Sequence, residues 1–303
     1  MTEAAPVYAG FDALAAGRPG PLVVVGDTQR TSRLEVIFRA HDAEQARLFE
    51  ELEAARPAVL LHCGDLVTWG PSRRHWARFD RLADGLRKQG TPFFPVLGNH
   101  EHLPFRGGGD KHTAARFPHL AGRRWYELRW GGVVAVALDS NFGALGGARV
   151  RAQLAWLDER LAAHDQDPGV RGVIAFWHHP PYTNSRIVRA SASTDRAFAA
   201  RVKAARKAVA VFNGHCHAYE HFVSDGLDFF VTGGGGGPLQ PLETRPGKRR
   251  FDDLFAWPRA RRFLHFVAID EEPGGLALRV VRIPGDAGAA EVVDRVSLPF
   301  RAG

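Results

Sequence analysis

The sequence predicts an α/β fold in which two mixed β-sheets pack together with helices on their outer faces, four layers in the order α/β/β/α. Three observations predict it. Five apolar runs of strand type each end in a tight turn bearing metal-ligand side chains: LVVVGDTQ (22–29), AVLLHCGD (58–65), FFPVLGNHEH (93–102), GVIAFWHHPPY (172–182) and AVAVFNGHCH (208–217). Helical periodicity fills much of the chain between these runs. From Tyr219 onward that period is gone, and YEHF, LDFFVT, FLHFVAID, LALRVVRI and VVDRVSL all read as strands.

In order, the first run is followed by a helix over 42–55, opened by Asp42, with Ala46, Phe49 and Leu52 at helical spacing and an end before Pro57. After the second run, Ser72 caps a helix whose Trp76, Phe79, Leu82 and Leu86 share a face as far as Gly90. Residues 103–122 are rich in Gly, His and Arg without periodicity, and read as a long loop at the mouth of a site. WYELRW and VVAVALDS form a hairpin about Gly131 and Gly132. A helix over 150–163 sets Val150, Leu154, Leu157 and Leu161 on one face, and an Ala- and Arg-rich helix over 195–207 precedes the fifth run.

The 303 residues suffice for a large core, and the spread of ligand-type residues from Asp27 to His217 favours one domain over 1–303. Its expected core is 21–270, with strands within 263–299 completing the second sheet. A chain 45% hydrophobic and 24% charged is ordinary for a globular protein. No apolar stretch approaches the roughly 18 residues that span a bilayer. The amino terminus carries Glu3 and no continuous apolar run, so it does not read as a signal peptide, and a cytoplasmic location is expected. Two cysteines, Cys63 and Cys216, are too few for a disulfide framework and read as reduced thiols beside the site. The net charge of +7 permits attraction to phosphate-bearing partners, nucleic acid included, without requiring it. Nothing in the sequence signals an oligomeric state.

The chemistry sits at the strand ends. Asp65 follows a buried strand and a flexible glycine, at the carboxyl edge where open α/β sheets place their ligands. Two aspartates, the Asn99 amide and histidines form a mixed oxygen and nitrogen set, suited to Mn, Fe or Zn rather than to Ca or Mg alone. A carboxylate can bridge two cations roughly 3.5 to 4 Å apart, the spacing used in two-metal hydrolysis, and Asp65 is the candidate bridge.

In this order, GD-x-Q, GD, GNHE, HHP and GH-x-H resemble the calcineurin-like metallophosphoesterases, and QLAWLDERL (153–161) is similar to a helix of that family's phosphatase-like branch, which includes the purple acid phosphatases. The resemblance spans 22–217. It implies one cation held by Asp27, Asp65 and His217, with Gln29 in the same motif, and a second held by Asp65, Asn99, His178 and His215. It further implies that His100 is a non-ligand histidine facing the substrate, that His179 supports His178, and that a metal-activated hydroxide is the nucleophile. Hydrolysis of phosphate esters follows, with small phosphomonoesters favoured over phosphodiesters or nucleic acid. A phosphate-binding module with a degraded first metal site is the non-catalytic alternative, against which the retention of His100 argues.

Two departures from the family pattern matter. Gln29 stands where most members have histidine, so that the first cation is expected to be loosely held. Thr68 stands where the purple branch has tyrosine, so a colourless protein is expected. Glu101 could orient His100, with a solvated loop position as the alternative reading. Arg30, Arg33, Arg73, Arg74 and Arg106 follow ligand-bearing turns and could meet a phosphate. His62 reads as a satisfied core histidine, while His41, His75, His112, His119 and His265 read as surface or loop positions. The run Gly233 to Gly237 is either a lid or a place where backbone must approach the site.

Overall fold

The computed structural model describes residues 4–31, 41–102, 110–285 and 288–301. Arg33 and Arg106 therefore lie outside the described residues. Twelve strands are described: β1 (Leu22–Val25), β2 (Val59–His62), β3 (Phe93–Pro95), β4 (Tyr126–Trp130), β5 (Val133–Ala137), β6 (Gly172–Trp177), β7 (Ala208–Asn213), β8 (Tyr219–Ser224), β9 (Leu227–Thr232), β10 (Leu264–Glu272), β11 (Gly275–Ile283) and β12 (Glu291–Pro299). They form two six-stranded sheets, ordered β12-β11-β10-β1-β2-β3 and β4-β5-β6-β7-β9-β8. Both sheets are mixed. In the first, β1, β2 and β3 run parallel while β10 to β12 are antiparallel; in the second, β5, β6, β7 and β9 run parallel between antiparallel β4 and β8.

The face-to-face packing follows from strand periodicity. Val133, Ala135 and Ala137 of β5 join β1 and β2 in one apolar cluster between the sheets. The alternate residues Val134 and Val136 join Leu157 and Leu161 of the helix Gly147–Gln166 in a second cluster. Strands covered on both faces need continuous apolar runs, which is why LVVV, VVAVA and GVIAFW are apolar throughout. On the first sheet's outer side, the helix Asp42–Ala54 buries Leu48, Phe49 and Leu52, and the helix Arg73–Leu82 buries Trp76 and Phe79. No helix among the described residues is long and apolar enough to cross a membrane.

Several expectations need correction. The strands within 263–299 complete the sheet that holds β1 to β3, whereas YEHF and LDFFVT complete the other; sheet membership is a long-range choice that strand periodicity does not encode. The helix begun at Ser72 breaks at Ala83, and Asp84–Lys88 forms a separate short helix. Within the expected loop over 103–122, Asp110–Arg116 is helical and buries Thr113 and Arg116. The helix Gly147–Gln166 turns Gln153 inward with Leu157 and Leu161, and leaves Val150 and Leu154 half-buried. The helix over 195–207 is three short pieces, Ala192–Thr194, Asp195–Ala199 and Ala200–Ala204. His265 is buried in β10 and so is not a surface residue, whereas His119 is half-buried in the short turn Pro118–Leu120 and packs edge-on to Phe94.

One buried carboxyl lends the fold a pH signature. Glu220 in β8 is fully buried, accepting from Thr183 Oγ1 at 2.5 Å and from the Asn184 N–H at 2.8 Å. Burial pushes its carboxyl from 4.5 up to about 7. A folded-state value above the unfolded one means that the protonated form is preferred inside, so stability falls as pH rises through that window, by on the order of 3 kcal/mol at most. Glu220→Gln removes the titration. The variant's Tm relative to the parent should be close to zero near pH 5 and higher by several degrees near pH 8. A difference that stays flat across this range would show that Glu220 carries no such cost.

Candidate metal centre and active site

Parallel strands end at one edge, so β1, β2 and β3 deliver their turns beside those of β6 and β7. Three residues in these turns, Asp27 (φ 61°), Asp65 (φ 56°) and His215 (φ 68°), are among the six non-glycine residues with positive φ that are described. Left-handed backbone is costly for such residues and collects at sites where the surrounding structure enforces it. The turns also crowd one another. A β-carbon on Gly98 would collide with the Asp65 carboxylate and backbone nitrogen. One on Gly237 would press on the His217 ring, and Gly237 N–H donates to Asp27 O at 3.1 Å. The glycine run is thus buried backbone packed on the first turn, in agreement with the close-approach reading rather than the lid.

The ligand atoms of Asp27, Asp65 and His178 lie within 4.8 Å of one another, and so do those of His178, His179 and His215. His178 Nδ1 faces the Cys63 carbonyl at 2.9 Å, a contact only an N–H can make, which turns Nε2 towards Asn99 Oδ1 at 3.0 Å and Asp65 Oδ2 at 3.3 Å. His217 repeats the arrangement: Nδ1 donates to Pro238 O at 3.0 Å and Nε2 stands 3.4 Å from Asp27 Oδ1. Carbonyls behind the ring fix which nitrogen is free, as they do for metal-ligating imidazoles. The end of Gln29 lies 3.0 Å from His217 Nε2 and 3.4 Å from Asp65 Oδ2. Turned so that its nitrogen donates to the carbonyls of Asp27 and Asp65, at 3.1 and 3.0 Å, the amide presents its oxygen to those two groups.

This set fits cations. Oxygen and nitrogen lone pairs converge at 3.0–3.4 Å around Asp65, Asp27 and Asn99, and such acceptors need either a proton or a metal between them. Burial disfavours charge on His178, yet the Asp65 carboxylate overrides it and raises the imidazole to about 9; a cation bound here would take that proton's place. Burial also opposes ionisation of Asp65, but the neighbouring His178 and His100 hold its carboxyl well below the usual range. His179 and His215, pushed down first by burial and then by the neighbouring His178, keep neutral rings with free lone pairs. Asp27 and Asp65 thus share one cluster with His178, which in turn clusters with His179 and His215.

His100 stands apart from both groups. Its Nδ1 is held by Thr68 O at 2.7 Å, its Nε2 is 3.9 Å from Asp65 Oδ2, and its side chain is 24% exposed. Glu101 is fully buried rather than solvated. Its carboxylate accepts from the backbone N–H of Gly98 at 2.7 Å, of Asp65 at 3.0 Å and of Val67 at 3.3 Å, tying the second turn to the third. Arg30 is engaged with Asp42 at 2.5 Å rather than turned to the ligands, and Arg73 and Arg74 are exposed on the first turn of the helix Arg73–Leu82. His62 is the expected core histidine, its Nε2 on Thr28 Oγ1 at 3.0 Å.

Sequence reading missed a brace behind β5. Gln153 accepts from Asp139 N–H at 2.7 Å and donates to Asp139 O at 3.0 Å; Asp139 meets Arg124 at 2.5 Å, and Arg124 reaches His102 at 2.8 Å. Next in the chain, Ser140 Oγ lies 2.8 Å from His179 Nδ1. A glutamine on the buried stripe of a helix was the available signal, because a buried amide demands partners.

The calcineurin-like phosphoesterase family model matches residues 20–219. A probable cyclic nucleotide phosphodiesterase of Synechococcus is 33% identical over 137 residues, 45% of this chain and 48% of that protein, so the chain spans about half the length of the curated relative it matches. Among solved structures, a purple acid phosphatase from yellow lupin superimposes with a TM-score of 0.65 at 15% identity, covering 92% of this chain and 53% of that one. A dimetal phosphatase from Danio rerio gives 0.61 at 16%, covering 93% and 99%. GAP50, the anchor in the inner membrane complex of Plasmodium, gives 0.67 at 16%, covering 93% and 89%. At these identities the superpositions establish the fold.

Proposed function

The chain belongs to the calcineurin-like phosphoesterase family, and from that premise we propose that it hydrolyses phosphate esters at a pair of cations sharing Asp65. One observation carries the reading: Asp65 Oδ2 is 3.3 Å from His178 Nε2 and 3.4 Å from the Gln29 amide. Asp27, Gln29, Asp65 and His217 would hold the first ion, and Asp65, Asn99, His178 and His215 the second. The mixed donor set suits Mn, Fe or Zn. When bound, such ions supply positive charge against the phosphoryl oxygens and acidify water.

The chain's own groups do the rest. Backbone carbonyls hold the His178 and His217 imidazoles in one tautomer, and Glu101 fixes the turn that aims Asp65. His100, with Nδ1–H committed to Thr68 O, offers Nε2 to the leaving oxygen as a proton donor. Phosphoryl transfer requires little covalent help, which suits a site built from ligands and one acid. Gln29, a weaker donor than imidazole, leaves the first ion the more easily lost.

Phosphomonoesters are the primary substrates in this reading, on the strength of the helix that carries Gln153. A second reading, hydrolysis of cyclic nucleotides, is favoured by the Synechococcus relative. The test is turnover by chelator-stripped protein, with Mn²⁺ added back, of p-nitrophenyl phosphate, bis(p-nitrophenyl) phosphate and cyclic AMP. Metal-dependent release from the monoester supports the first reading, and preference for either diester supports the second. No turnover with Mn²⁺, Zn²⁺ or Fe²⁺ would leave the non-catalytic module.

A further inference from the structure

Beside the candidate metal centre lies a cavity of about 720 Å³ that the mechanism above leaves unused. Its wall is continuous with the site: Thr28 lies between Asp27 and Gln29, and Thr68, whose carbonyl holds His100, lines it too. Four guanidinium groups, Arg30, Arg74, Arg78 and Arg81, face one carboxylate, Asp42. That carboxylate is shared by Arg30 at 2.5 Å and Arg78 at 2.9 Å. Arg74 and Arg81, both exposed, have no carboxylate partner among the described residues. Thr31, 8% exposed, lines the same cavity with a hydroxyl that has no hydrogen-bond partner among the described residues. A buried hydroxyl without a partner and a surplus of forked donors together make a receptor for an anion.

We infer that this cavity holds a second phosphate group of the substrate, so that the enzyme prefers small bisphosphates to monophosphates. The inference rests on the phosphoesterase reading for the placement of the first phosphate at the metal ligands. The second phosphate, carried by the same molecule, lies against Arg74 and Arg81 and accepts from Thr31.

The test is calorimetric binding of adenosine 3′,5′-bisphosphate and AMP to the Mn²⁺-loaded protein, two ligands that differ by one phosphate. The bisphosphate is expected to bind at least about ten-fold tighter, the worth of charge-assisted hydrogen bonds to one anionic group. Arg74→Gln and Arg81→Gln, both at exposed positions that tolerate substitution, should each reduce that ratio below about three-fold. Equal affinities in the parent, a ratio unmoved by either variant, or no binding of either nucleotide would overturn the inference. Turnover of the two nucleotides by the Mn²⁺-loaded protein is scored separately. Its absence would count against the phosphoesterase reading and leave the binding ratio standing.

Discussion

Asp65→Asn is expected to strip both cations from the protein and to lower kcat/KM by at least about a thousand-fold, because metal charge is worth several kcal/mol to a phosphoryl transition state. The substitution is mild for the fold. Asparagine tolerates the left-handed backbone that Asp65 adopts, and its amide oxygen can still accept the His100 N–H that Asp65 Oδ1 accepts at 2.8 Å. What it removes is the charge and one lone-pair oxygen, the one nearest His178 and Gln29. Asp27→Asn should act on one side alone, costing the ion shared with His217 and sparing the ion shared with Asn99 and His178. Elemental analysis of both variants after dialysis against Mn²⁺ distinguishes the two. One full equivalent of metal retained by Asp65→Asn would mean that the carboxylate is not shared.

How far these ligands could be read in advance follows from where they sit. Asp27, Asp65, Asn99, His178, His215 and His217 each close an apolar run, and a buried parallel strand whose end is polar announces both its burial and its exit point. Their convergence needs only that the strands share an edge. The groups that were misread depend on distant partners. Glu101 looks like a loop residue because the backbone N–H groups of Gly98, Asp65 and Val67 that surround it carry no side-chain signature. Arg30 looks available for phosphate until the helix Asp42–Ala54 brings Asp42 against it. Gln153 is invisible to a count of apolar positions, since the stripe it shares with Leu157 and Leu161 is buried although Gln153 is polar. The same limit misassigned the last three strands: their alternation predicts strands, while the pairing of β10 with β1 is made across the whole length of the chain.

His100→Ala tests a different division of labour. Its Nε2 stands 3.9 Å from Asp65 Oδ2, beyond a direct hydrogen bond, and the Asp65 contact with the backbone at His100 does not involve the imidazole. Removing the ring should leave metal content intact and lower kcat by about 10²–10⁴, the range of a lost general acid. Size alone does not separate an acid from a clamp on the phosphoryl oxygens, but the leaving group does. A nitrophenolate departs without a proton, whereas an alkoxide needs one, so an acid's removal should cost far more with an alkyl phosphate than with p-nitrophenyl phosphate. A clamp acts on the phosphoryl group common to both and would cost the same with each. Equal losses would therefore assign His100 to the phosphoryl oxygens, and loss of metal in the variant would place it among the ligands. The geometry favours the acid: Nδ1–H is anchored on the Thr68 carbonyl at 2.7 Å, and the Asp65 charge and that hydrogen bond outweigh burial to raise the imidazole above its ordinary value, which favours the form that can donate from Nε2.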